Sequence, residues 1–259
     1  GKYIVTASWD NTARIWDAKT GKPVAGPLKH NDDVRSAVFS PDGKFVVTAS
    51  KDETARIWDA NTGKLVTEPL KHKDYVLSAV FSPDGKYIVT ASEDSTACVW
   101  DANTGKPVTE PLKHENSVYS AVFSPDGKFV VTASSDRTAR VWEAKRGKPV
   151  TEPMKHENGV WSAVFSPDGK FVVTASSGNT ARVWDAVSGE PVTEPLRHNS
   201  WVYSALFSPD GKFVVTASKD GTARLWPFPP LQELIDKYHK DPENDWSLTP
   251  EEKEEYSLE

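Results

Sequence analysis

The chain has 259 residues, 37% of them hydrophobic, and a net charge of -6, which is apolar content enough for one large domain or two ordinary ones. No apolar run approaches the roughly 18 residues of a membrane helix, the first residues show no basic-then-apolar signal, and with Cys98 as the single cysteine neither an intramolecular disulfide nor a cysteine cluster for zinc is available. The acidity is local: from Pro227 onward ten Asp and Glu stand against three Lys, so the tail carries -7 of the -6 and the remainder +1, which leaves no electrostatic footprint for nucleic acid.

These readings lead to an expected soluble, cytoplasmic chain with no membrane and no nucleic-acid partner. It opens on "GKYIVTASWD", a theme that returns at Gly43 as "GKFVVTASKD" and at Gly85 as "GKYIVTASED". The period is 42 residues: His30, His72, His114, His156 and His198 keep it, and so do Trp16, Trp58, Trp100, Trp142, Trp184 and Trp226. Strict repetition without insertions predicts six equivalent modules.

Within one module, "VRSAVFS" from Val34 reads as a strand that ends at "PDG", a tight-turn sequence. "KFVVTAS" from Lys44 follows, rich in β-branched and aromatic residues, then the turn "KDE" and a third strand, "TARIWD", from Thr54. After "ANTG" comes "KLVTEPL", whose copies carry two prolines; proline cannot donate to a ladder, so this fourth strand belongs at a sheet edge. The first three strands are apolar on both faces and need cover from both sides, which neighbouring modules can supply. Folding the third and fourth strands about "NTG" places Arg56 opposite Glu68, Arg140 opposite Glu152 and Arg182 opposite Glu194, as cross-strand ion pairs. Cys98 takes the arginine's position in its module and is expected to be an inert, half-buried thiol.

The order of His, "SPDGK", Ser-x-Asp and Trp-Asp, repeated six times over residues 1–226, resembles the WD-repeat family of β-propellers. The chain departs from the family in reading Lys-His or Arg197-His198 for Gly-His, and Trp142-Glu143 and Trp226-Pro227 for Trp-Asp. The resemblance implies an all-β propeller of four-stranded antiparallel blades. Aligned this way, the first of the six repeats lacks its innermost strand and the last, ending at Trp226, its outermost; residues 227–259 form an acidic tail. The tail is expected to be helical, from the spacing of Leu231, Leu234, Ile235 and Tyr238 and a capping box at Thr249 and Glu252. Missing strands and the absence of a first Met lead to the expectation of a C-terminal portion of a longer chain, and the "LTPEE…Y" ending, which looks like the ends of some bacterial WD-repeat chains, to the expectation of a bacterial type.

The resemblance also implies a structural network in each blade, in which a buried His links an Asp to a Ser or Thr hydroxyl that meets the Trp indole. The candidates are His30, Thr48 or Ser50, Asp52 and Trp58; His72, Asp94 and Trp100; His114, Asp136 and Trp142; His198, Asp220 and Trp226. In the fifth blade Gly178 stands for the Asp, so His156, beside Trp184, should lose its acceptor. One His per blade is held apart by the radial arrangement, so no metal site, no cofactor and no catalytic residue is expected.

Information about a partner should sit where the copies differ. Two strips vary: the residues flanking the first valine of the inner strand, among them Arg35, Tyr75, Leu77, Tyr119, Trp161, Trp201 and Tyr203, and those just before the turn Asp, including Trp9, Lys51, Glu93 and Lys219. By resemblance they ring the top face of the channel, where the family commonly binds peptides or proteins. The expectation is a scaffold or sensor module in signalling that binds a protein or peptide. The alternatives are self-assembly through unpaired blade edges and, with few convergent carboxylates to support it, a propeller hydrolase.

Overall fold

A computed structural model of the chain describes residues 1–228; the helices expected in the tail lie outside the described residues. Twenty-two strands form six antiparallel sheets, each drawn from consecutive strands. The four-stranded second sheet is representative, with strands Val34–Phe39, Phe45–Ser50, Thr54–Asp59 and Leu70–Lys71 in that spatial order. Two sheets have three strands. The first comprises Tyr3–Ala7, Thr12–Asp17 and Leu28–Lys29, and the last Val202–Phe207, Phe213–Ser218 and Ala223–Pro227. Phe228 continues the last sheet into the core, with its ring 5.0 Å from Phe171 and 5.4 Å from Phe207.

The turns follow from the residues at them. In "SPDG" the Asp42 carboxylate accepts the Ser40 hydroxyl at 2.7 Å and the Lys44 amide at 3.1 Å, and Gly43 takes φ 72°, a conformation that costs glycine little. Between second and third strands a non-glycine residue is left-handed in five blades: Asn11, Glu53, Ser95, Arg137 and Asn179. The Asp preceding Glu53 offsets that strain by accepting the Thr54 amide at 3.2 Å and its hydroxyl at 2.6 Å. The fifth blade has no such Asp, and there the left-handed position holds Asn179, which tolerates it well.

The core lies between sheets rather than within them. Ala13, Ile15 and Leu28 of the first sheet pack on Val34, Val46 and Trp58 of the second; Val131, Ala139, Val141 and Met154 of the fourth pack on Val160, Ala163, Val172 and Trp184 of the fifth. Five such interfaces repeat one pattern, and each fully buried Val or Ile in them contributes ~1.5–3 kcal/mol. At the two ends the pattern is left half-made. Ile4 is 53% exposed where its equivalents Val46 and Ile88 are buried, and Leu225 is 60% exposed where Ile57 is buried.

The fourth strand corrects the expected ion pairs. Trp58 bridges to Leu65 near the turn, but farther along Ala55 pairs with Leu70, so the register slips and Thr67 and Glu68 leave the ladder. Among the described residues no ion pair joins Arg56 to Glu68, Arg140 to Glu152 or Arg182 to Glu194. Arg56 turns instead to the Asp52 carboxylate at 2.9 Å and, through Nη1, to the Lys29 carbonyl of the preceding blade at 2.9 Å. Cys98 is buried; burial pushes its thiol up to about 11, and Thr96 Oγ1 lies 3.9 Å from its sulfur.

Candidate functional site: the channel mouth and the buried networks

Each complete inner strand carries one irregularity, and it falls at the same place. The register shifts between Val34 and Ser36, and at the equivalent positions of the next four blades. The residue inside each shift, Arg35, Leu77, Tyr119, Trp161 or Tyr203, is therefore extra to the ladder, and such a bulge re-aims its side chain. All five line one cavity of about 330 Å³, with Glu93 as the sixth wall residue. One variable side chain from each of five blades thus converges on a single cavity.

The two sides of this mouth differ. Tyr119 and Trp161 stack with centroids 4.5 Å apart, and Trp161 lies 6.2 Å from Trp201 and 6.5 Å from Tyr203. The Trp161 indole nitrogen is buried without a hydrogen-bond partner. Opposite stand Arg35, Leu77 and Glu93. The Arg35 guanidinium sits 5.9 Å from the ring of Trp9, itself 74% exposed. Lys51 pairs with Asp33 at 2.8 Å and lies 5.7 Å from the Tyr75 ring, while Lys219 lies 4.3 Å from that of Trp201. Of the residues that sequence variation singles out, Arg35, Leu77, Glu93, Tyr119, Trp161 and Tyr203 line the cavity; Trp9, Lys51, Tyr75, Trp201 and Lys219 are not wall residues, Trp9 and Trp201 touching the wall residues Arg35 and Trp161. Leu77 is a wall residue that chemistry alone does not rank highly, because its place depends on the bulge.

Beneath the mouth run the networks. His30 Nε2 lies 2.7 Å from Thr48 Oγ1, the Trp58 indole N–H donates to that same oxygen at 2.8 Å, and His30 Nδ1 lies 3.0 Å from Asp52 Oδ2. The direction of the chain follows from the ends. The Asp52 carboxylate only accepts, so His30 Nδ1 carries the hydrogen that reaches it; in the neutral imidazole Nε2 then accepts the Thr48 hydroxyl proton, and the Thr48 oxygen accepts the indole N–H. Thr48 fills the hydroxyl position; Ser50 instead donates to the Asp32 carbonyl at 2.9 Å. The same set recurs around Thr90, Thr132 and Thr216, with His72–Asp94, His114–Asp136 and His198–Asp220 at 2.9, 2.7 and 3.0 Å. Burial alone would raise the Asp52 carboxyl, but hydrogen bonds from His30, the Asn31 amide and Thr54 outweigh it and hold it below the usual carboxylate range.

The fifth blade keeps half of this. Trp184 donates to Thr174 at 2.9 Å and His156 Nε2 lies 2.7 Å from the same hydroxyl, but Nδ1 has no partner. Burial, helped by the nearby Arg182 charge, pushes the His156 imidazole down to about 3. Because the folded state binds its proton less readily than the unfolded chain, whose ordinary value is 6.5, the stability His156 allows is complete above pH 6.5 and is lost as pH falls toward 3. Two-dimensional NMR of the imidazole nitrogens should place its midpoint near 3; a midpoint at or above 6.5 would contradict this placement.

Among the described residues no group of three or more His, Cys, Asp or Glu stands close enough to hold a metal ion. Blades of consecutive antiparallel strands, packed face to face around a shared channel mouth, define the class as a β-propeller-like repeat. The family described as "WD domain, G-beta repeat" matches residues 1–17, 21–59, 63–101, 105–143, 147–185 and 189–227, and the chain belongs to this WD40 family. It is similar to the crystal structure of the computationally designed Ika8 protein, with a TM-score of 0.80 and 26% identity, over 88% of this chain and 69% of that one. It is also 44% identical over 43 residues to nuclear distribution protein PAC1-2 of Postia placenta. That match takes in 17% of this chain and spans 10% of the length of the relative.

Proposed function

We propose that the chain is a binding module that holds an extended peptide segment of a partner protein across the channel mouth, in the manner WD40 repeats generally mediate protein–protein interaction. One observation carries the reading: five bulges turn the most variable side chain of five successive blades into a single cavity. Tyr, Trp and Arg are the residues that dominate interface energetics, since large rigid side chains exclude water at small entropic cost. The Tyr119–Trp161–Tyr203 wall suits an apolar or aromatic side chain. Arg35 and Glu93, on the other side, favour a segment with charges of both signs. Selection of a displayed linear-peptide library on the wild-type chain tests this. Enriched peptides are expected to bind Trp161→Ala about 30-fold more weakly, the ~2 kcal/mol of a hot-spot residue, with the thermal midpoint checked in parallel. Equal enrichment on the wild type and on a folded Trp161→Ala variant would remove the channel mouth as the site.

The exposed ends favour a second reading, self-association. Ile4 on one terminal face and Leu206, Val215 and Leu225 on the other are exposed, and they are the two halves of the interface the chain makes five times internally. Sedimentation at rising concentration distinguishes it: a mass constant at 28.6 kDa rules it out.

A further inference from the structure

In four blades an Asp carboxylate accepts the His Nδ1, the next residue's amide, and the amide and hydroxyl of the Thr that follows. An Arg lies beside it in three of them, at 2.9, 3.8 and 3.7 Å, Cys98 standing in the third blade. Around Asp52, Oδ2 accepts His30 Nδ1 at 3.0 Å, the Asn31 amide at 2.9 Å and Arg56 Nη2 at 2.9 Å, and Oδ1 accepts the amide and hydroxyl of Thr54. The fifth blade has the equivalent donors in His156, the Glu157 amide, Thr180 and Arg182, but Gly178 has no side chain to receive them. His156 Nδ1 is buried without a partner, and so is Arg182 Nε, whose equivalent in the second blade donates to the Thr54 hydroxyl while Nη2 reaches the Asp. His156 is only 8% exposed. The Thr174 hydroxyl lies within reach of both His156 Nε2, at 2.7 Å, and the Arg182 carbonyl, at 3.3 Å; in the tautomer of the sister blades, with the proton on Nδ1, this atom is a donor that needs an acceptor. A buried donor left unmade costs ~1–3 kcal/mol.

A Cβ fits at Gly178 without a clash. A Cβ built on Gly178 would meet nothing nearer than Asn158 Nδ2 and Ser176 Oγ, both at 3.4 Å, which is ordinary contact, and the Asn158 amide adds one more donor to the notch. Ser177 and Gly178 are half-buried and Asn179 is exposed, so the notch opens to solvent beside Gly159, whose carbonyl accepts the Ser176 and Ser177 hydroxyls at 3.0 and 3.2 Å.

We propose that the Gly178 notch binds a carboxylate supplied in trans, one oxygen taking the place that the Asp Oδ2 occupies in the sister blades, against His156 Nδ1, the Glu157 amide and Arg182. The carboxylate can belong to a small free acid or to an acidic side chain of a peptide. A neutral acceptor such as water satisfies His156 but leaves the guanidinium charge uncompensated, whereas a carboxylate answers both, as hydrogen bonds to charged groups are the stronger kind. The site stands independently of the channel-mouth reading.

The test titrates the 259-residue chain at pH 7 with sodium acetate against sodium chloride at equal ionic strength, reading the His156 imidazole by NMR and the thermal midpoint. A parallel arm uses a blocked Gly-Asp-Gly tripeptide against its Gly-Asn-Gly counterpart. Acetate is expected to shift the His156 resonances saturably and raise the thermal midpoint, where chloride does neither. A response to acetate assigns the site to free carboxylates, and a response to the Asp peptide alone assigns it to a partner's side chain; both uphold the proposal. Gly178→Asp, which supplies the carboxylate in cis, is expected to melt higher than wild type and to lose the response. Asp136→Gly, the reciprocal change, is expected to melt lower and to recover with acetate. Silence of His156 toward both probes, or a response undiminished in Gly178→Asp, overturns the proposal.

Discussion

Replacing Thr132 by Val is expected to destabilise the chain by ~2–6 kcal/mol, although the change alters the shape of one fully buried side chain hardly at all. Thr132 Oγ1 is the hub of its network: it accepts the Trp142 indole N–H at 2.9 Å and gives its own proton to His114 Nε2 at 2.7 Å. A valine orphans both groups where neither can reach water, and each unmade buried partner costs ~1–3 kcal/mol. His114 would also be freed to change tautomer, which would weaken its 2.7 Å contact with Asp136. The measurement is urea denaturation of Thr132→Val, Trp142→Phe and the double variant. If the hub argument holds, the double variant loses less than the sum of the singles, because Trp142→Phe removes one of the orphans; additive losses would mean that the hydroxyl and the indole act separately.

Ile88→Ala is expected to cost ~2–5 kcal/mol, and Ile4→Ala under ~1 kcal/mol, in the same chain. The pair is a controlled comparison, because residues 1–8 and 85–92 read "GKYIVTAS" in both places. The local sequence, the strand and the cross-strand Trp are the same, with Ile4 opposite Trp16 and Ile88 opposite Trp100. The surroundings differ in two ways: Ile88 packs among Val47, Ala55, Ile57 and Val76 and pairs with Phe81 of its inner strand, while Ile4 faces no preceding sheet and its sheet has no inner strand. Equal losses in denaturation experiments on the two variants would show that the face of the first blade is covered in solution, and would lend weight to the self-association reading.

Much of this fold was legible because the repeat is nearly exact. A 42-residue period with "SPDG" and Trp-Asp at fixed places locates three strands and two turns per blade. The fourth strand was read too long and in the wrong register. Pro69 has no N–H to give, and Thr67 and Glu68 leave the ladder, so regular pairing resumes only at Leu70; no folding of the sequence about its turn foresees a two-residue slip. The Arg56–Glu68 pairing failed for that reason. In the network, alternation along the strand does not choose between Thr48 and Ser50, since both face the same way; the distance from Trp58 decides. At the mouth, variability pointed to two strips but did not separate the residues that line the cavity from those that do not. That separation comes from the bulge, which adds one residue to the inner strand and leaves no mark in composition.

The register that makes the blades alike also bears on how the chain finds its fold. "GKFVVTAS" occurs unchanged at Gly43, Gly127, Gly169 and Gly211, so a second strand from one blade can dock against the third strand of another with almost every contact intact. What holds each strand to its own blade is the brevity of the connections: the tight turn at Asp52 and Glu53 joins partners close in sequence, and local contacts form before distant ones. Lengthening one of those turns would remove the kinetic preference for the correct neighbour, besides disturbing contacts such as those of Asp52, so that strand exchange between blades, or between chains, would compete with folding.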